Sequence, residues 1–178
     1  MHMGSMVTLV VVALGSAAVS AGGIGIGLGV GIGVGQPPAP IRSLDYFVGD
    51  WVCSGVFPAS GKTIASTMRY ASDLQGSALL KHHDDTAPSL YHAVEAWGYD
   101  GQAKRFNATI MDNFGGARRF GSDGWKQDVL TWSSAADVTP VQRFVYTRLD
   151  RQHYRVDWDV AQNGTDFAVG DTLTCNRQ

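Results

Sequence analysis

The sequence predicts an all-β protein: a single antiparallel up-and-down barrel of about ten strands behind an N-terminal Gly-rich tail. Three observations lead there. From Ile41 onward, short runs of alternating apolar and polar residues recur, and no long stretch carries helical periodicity. The runs are separated by Ser60-Gly61, Gln75-Gly76, Asp100-Gly101, Gly115-Gly116, Asp123-Gly124 and Asn163-Gly164, dipeptides that supply the positive φ of tight hairpins. The two cysteines, Cys53 and Cys175, fall on the first and last of these strands. A disulfide between them brings the two edges of the sheet together, and a sheet whose edges meet is a barrel.

Taken in order, residues 1–5 (Met-His-Met-Gly-Ser) have the pattern of a cloning scar. Residues 6–21 are apolar and uncharged and end in Ala18-Val-Ser-Ala21, a signal-like or anchor segment without a preceding basic residue. Residues 22–40 form a Gly-aliphatic tail and a Pro-rich linker. The strict Gly/aliphatic alternation from Gly22 to Gly35 admits three readings: a membrane anchor continuous with the preceding apolar run, a strand that adds to a neighbour's sheet edge, or a flexible spacer. Membrane anchoring or self-association through residues 7–35 is the partner expectation attached to this part of the chain. Gln36-Pro-Pro-Ala-Pro40 marks the boundary of the domain, which spans 41–178.

The barrel opens on Leu44–Phe57. Trp51, Cys53 and Phe57 share one face at period two, with Trp51 expected as a plug near the barrel base and a turn at Ile41–Phe47 covering that end. The further strands are expected at Lys62–Leu74, Ser77–Asp85, Leu90–Tyr99, Lys104–Asn113, Ala117–Gly121, Trp125–Ser133, Val141–Arg151, Tyr154–Ala161 and Asp166–Asn176.

With those residues in place, the domain resembles a lipocalin-like (calycin-type) barrel. More narrowly, it is similar to an uncharacterised bacterial secreted family with a Leu-x-x-Phe-Val-Gly-x-Trp opening, here Leu44-Asp-Tyr-Phe-Val-Gly-Asp-Trp51. Trp97-Gly-Tyr-Asp100 with Arg105-Phe106, Asp112-Asn-Phe-Gly115 and Ser122-Asp-Gly-Trp125 match that family's later turns. The resemblance implies a fold with an internal cavity and leaves its chemistry open. Nitrobindin, a haem-binding barrel, is more distantly similar. Its haem ligand is a histidine near the C-terminus, whereas the last histidine here is His153, so no haem is expected.

A formal net charge of -2, from 14 basic and 16 acidic residues among 178, provides no electrostatic footprint for nucleic acid. Two cysteines at opposite ends of the folded region suit a disulfide in an oxidising compartment, hence a secreted or periplasmic protein, or one anchored in the membrane and facing the periplasm. The expected partner is a small hydrophobic molecule held inside the barrel, lined by Trp97, Tyr99, Met111, Tyr146 and Trp158, with Asp112 and Arg119 as polar anchors. Any one of these aromatics also serves as core filler. Of Arg118-Arg119, one must point to each face of the strand.

No cofactor is predicted, and Gly-x-Ser-x-Gly is absent. A divalent metal has one candidate set: a four-residue loop Thr86–Ser89 would pair His83 with His92, with Asp85 two residues along the same face. Trp97 gains more from burial than an imidazole does, so Trp97 is assigned to the inside and His83 and His92 to the outside. Three functions follow: a ligand-binding barrel without catalysis, a barrel enzyme using an inward His or Asp, and an envelope or assembly protein acting through its tail.

Overall fold

The computed structural model describes residues 39–86, 89–161 and 163–178. The expectations for the scar, the signal-like segment and the Gly-aliphatic tail fall on residues outside these. The described chain starts with a 3-10 segment, Ala39–Phe47. Ile41, Leu44 and Phe47 recur every third residue, the repeat of that helix, and all three are buried. Eleven strands follow: β1 Gly49–Phe57, β2 Lys62–Asp73, β3 Ala78–Asp85, β4 His92–Asp100, β5 Arg105–Asp112, β6 Ala117–Ser122, β7 Trp125–Lys126, β8 Val129–Ser134, β9 Val141–Arg148, β10 His153–Ala161 and β11 Ala168–Arg177.

Neighbours in sequence pair antiparallel except β6 and β7, since β6 skips β7 to pair with β8 through Phe120↔Ser134 and Gly121↔Ser133. Ten strands therefore close the barrel, and β7 is an extra strand attached to β8 alone. The single strand expected over Trp125–Ser133 is divided because the chain turns at Gln127, whose φ is +56°. A glutamine carries no left-handed signal, so the turn was not visible in the sequence. At the expected hairpins Gly61, Gly76, Gly115, Gly124 and Gly164 do take positive φ.

The two edges of the sheet meet where β1 lies against β11, from Trp51↔Arg177 to Val56↔Thr172. Cys53 and Cys175 stand directly opposite each other there and form the disulfide, with Cα atoms 4.0 Å apart. A sequence separation of 122 residues corresponds to about 5 kcal/mol in the chain-entropy picture, an upper figure. Arg177 reinforces the junction, donating to the carbonyls of Tyr46 and Val48 and lying 4.2 Å from the centre of the Trp51 ring.

Strict alternation turns one face of each strand inward. On β2 these are Ile64, Ser66, Met68 and Tyr70; on β4, Ala93, Glu95 and Trp97. The pole beneath the 3-10 segment is solid. Phe47 packs its ring against those of Tyr70, Trp97, Tyr146 and Tyr154 at 5.3–5.4 Å, and Trp51 Nε1 donates to the Phe47 carbonyl at 2.7 Å. The opposite pole, beyond Met68, is hollow.

Candidate functional site

The cavity occupies about 320 Å³ at this second pole. Its walls are largely apolar, with Ile64, Met68, Phe144, Val156, Trp158 and Leu173 among them, and its polar groups come mostly from the inward faces of β3 to β6 and β11. The arrangement follows from period two on β3. After Leu79, the inward positions are Lys81, His83 and Asp85, three polar residues in a row on the face that should be apolar.

Each has a built partner. Lys81 stands opposite Glu95 in the β3–β4 register, and its Nζ donates to Glu95 Oε1 at 2.7 Å and to the Tyr146 hydroxyl at 3.1 Å. Both charged side chains are almost inaccessible, at 3% and 5% exposure. Trp97 Nε1 donates to the other carboxylate oxygen of Glu95 at 2.8 Å. Together these groups form the cavity floor. Above them, Asp85 Oδ1 lies 2.9 Å from His83 Nε2 and accepts from Ser66 Oγ, while its Oδ2 accepts from Ser89 Oγ. Burial pushes the Asp85 carboxyl up, but the hydrogen bonds from His83, Ser66 and Ser89 outweigh it and hold the group below its ordinary value. Burial pushes His83 down, with the Lys81 charge acting in the same sense and Asp85 opposing both. At neutral pH His83 is therefore uncharged.

The far wall carries Arg118. It donates to Gln142 Oε1 at 2.8 Å, to the Tyr91 hydroxyl at 2.9 Å and to Asp112 Oδ2 at 3.0 Å. Across the barrel, β11 has a bulge: Trp158 pairs with Asp171 and Asp159 with Val169, leaving Gly170 unpaired between them. A Cβ on Gly170 would sit 2.5 Å from the Trp158 ring, so the glycine lets that indole lie along the wall. Asp171, just past the bulge, faces the cavity and forms no hydrogen bond through its carboxyl among the described residues. Burial raises its pKa to about 7, with the Asp85 charge adding, Lys81 opposing and Asp157 adding a smaller share.

Of the residues singled out from sequence, Tyr146, Trp158 and Asp112 line this cavity. Asp112 also accepts the backbone N–H groups of Phe114 and Gly116, so one carboxylate is both turn acceptor and wall. Trp97 is 1% exposed and lies in the floor; Tyr99 is half-buried against Phe106 outside the cavity lining. Met111 is exposed, because Ile110 and Asp112 take the inward positions of β5. Arg119 points outward to Asp137 at 2.6 Å, and its neighbour Arg118 is the inward one. The parity of the buried Phe120 and Ser122 dictates that choice.

The set His83, His92 and Asp85 does not converge. The observed register pairs Asp84 with His92 and His83 with Ala93, one residue off the expected one. The loop is longer by one, since Asp85 N–H donates to the Tyr91 carbonyl, and a one-residue slip moves His92 to the opposite face from His83. His92 is outside, 2.8 Å from Asp84, as its assignment against Trp97 requires; His83, assigned outside with it, lies inside. Among the described residues no group of three His, Cys, Asp or Glu side chains is arranged to hold a metal ion.

Lys81, Glu95 and Asp171 were not anticipated. Lys81 shares the face of His83, which the expected pairing with His92 puts outside. Yet placing Trp97 inward already forces Glu95 inward at period two, and a buried carboxylate requires a partner such as Lys81. Asp171 had no signal, because the bulge that aims it cannot be read from the alternation.

Compared with known protein families and with curated proteins, the chain matches none. Its likeness is one of architecture: a closed antiparallel barrel, consistent with a lipocalin-like (calycin-type) fold.

Proposed function

We propose that this protein is a secreted or periplasmic barrel that binds a small, largely apolar molecule in its open pole. One observation carries the reading: a cavity of about 320 Å³ with aromatic and aliphatic walls and a few fixed polar groups, above a pole packed solid with aromatics. The disulfide suits an oxidising compartment, and among the described residues no helix is long and apolar enough to cross a membrane. The test is native mass spectrometry of the full chain purified from its own host, followed by titration with a neutral polarity-sensitive naphthalene dye. A retained small molecule, or one dye taken up per chain, is expected. Neither being seen refutes the reading.

A second reading is favoured by the 2.9 Å His83–Asp85 pair in the cavity wall. A neutral imidazole oriented by a carboxylate is equipped to take a proton from a bound molecule. His83→Gln separates the two readings: a carrier keeps its ligand unchanged with time, whereas an enzyme converts it and the variant stops doing so.

A further inference from the structure

Resting on that binding reading, we infer that the cavity takes a ligand with a protonated amine on an apolar body and discriminates against carboxylates. The charges facing the cavity decide the sign. The cations are Lys81 from β3 and Arg118 from β6. Each is matched by a carboxylate of its own, Glu95 at 2.7 Å and Asp112 at 3.0 Å. Two acidic groups are left over. Asp85 is held by the hydroxyls of Ser66 and Ser89 and by His83, none of which carries a positive charge at neutral pH. Asp171 has no hydrogen-bonded partner among the described residues, and Asp157 of β10 adds a further negative field to it.

An incoming carboxylate would meet cations already neutralised and two carboxylates that are not. An incoming ammonium would find Asp171 and Asp85 lining the same cavity as Trp158, Phe57 and Phe144. Aromatic rings beside a carboxylate stabilise an alkylammonium twice, through the ring quadrupole and through the ion pair. The elevated pKa of Asp171 agrees with this, since a carboxyl that ionises reluctantly when empty gains most from a cation arriving beside it.

The probes are 4-phenylbutylamine, 4-phenyl-1-butanol and 4-phenylbutyrate, which share a body and differ in charge. Each is titrated calorimetrically into the full chain at pH 8, where Asp171 is ionised. The amine should bind about tenfold tighter than the alcohol, as one partly screened ion pair implies, and the carboxylate weaker than the alcohol. In Asp171→Asn the amine-to-alcohol ratio should fall to about one. Should that variant not fold, the wild-type ratio measured from pH 8 to pH 5 serves instead. It should shrink as Asp171 protonates; the other titratable groups of the lining are Lys81, His83, Asp85, Tyr91, Glu95, Asp112, Arg118 and Tyr146, and Asp157 acts on Asp171 from outside that lining. Equal binding of all three, or tightest binding of the carboxylate, overturns the amine preference and leaves the cavity reading standing. Binding of none overturns both.

Discussion

Replacing Glu95 by glutamine removes the carboxylate that neutralises Lys81 in the barrel floor. The two groups are 2.7 Å apart and nearly inaccessible. Even at an effective dielectric of about 20, that separation gives roughly 6 kcal/mol of attraction, offset by several kcal/mol of desolvation for each ion. The pair as a whole is thus close to neutral for stability, but either half alone is costly. Glu95→Gln should destabilise by about 3–5 kcal/mol because a buried ammonium loses its counter-charge, and Lys81→Met by a similar amount. The double variant should cost only about 2 kcal/mol, since it buries no net charge and the new amide oxygen still accepts from Trp97 Nε1. Urea unfolding of the four proteins at pH 7, disulfide intact, gives the coupling, expected to be at least about 4 kcal/mol. Single variants that each cost less than about 1 kcal/mol, or a double variant equal to the sum of the singles, would refute the argument that the floor is held by a mutually dependent ion pair.

Two further outcomes follow from the β1–β11 junction and the bulge beside it. At Gly55, a Cβ would lie 1.7 Å from the Thr172 carbonyl oxygen, a backbone atom that cannot move without breaking the pairing. Gly55→Ala should therefore cost about 3 kcal/mol or more in urea unfolding, and a loss under about 1 kcal/mol would show that the strands separate easily there. For Asp171, the native pKa of about 7 lies above the ordinary 3.8, so between those pH values the folded chain holds a proton that the unfolded chain has lost. The stability this contributes is complete below about pH 4 and disappears as pH rises through about 7, an effect of at most about 4 kcal/mol. Asp171→Asn does not titrate, so its stability relative to wild type should improve by a few kcal/mol between pH 4 and pH 8; a constant difference would mean that Asp171 is better solvated than its surroundings suggest.

The architecture was legible because the alternation and turn glycines of a meander are local signals, and because a lone pair of cysteines at its two ends has one way to join. The site was legible only in part, for reasons of register. Parity within a strand is strict, so fixing Trp97 inward correctly put His92 outside and already implied Glu95. Parity between strands depends on loop length, and one additional residue after Asp85 was enough to separate His83 from His92. Arg119 and Met111 point outward because the buried residues beside them, Phe120 and Ile110, set the face of their strands. Asp171 is positioned by a bulge, which breaks the period of β11.

The junction that closes the barrel has a mechanical consequence. Every other neighbouring pair in the ring is joined by chain running between its strands, but β1 and β11 are the two ends, and Gln178 N–H reaches the Asp50 carbonyl at 3.0 Å. Tension applied to the ends of the domain therefore enters at adjacent points and crosses from residue 53 to residue 175 through a covalent bond. The intervening strands and the whole cavity wall, from Phe57 to Leu173, lie inside the loop so formed. They carry none of the load, and the cavity keeps its shape while the ends of the domain are pulled.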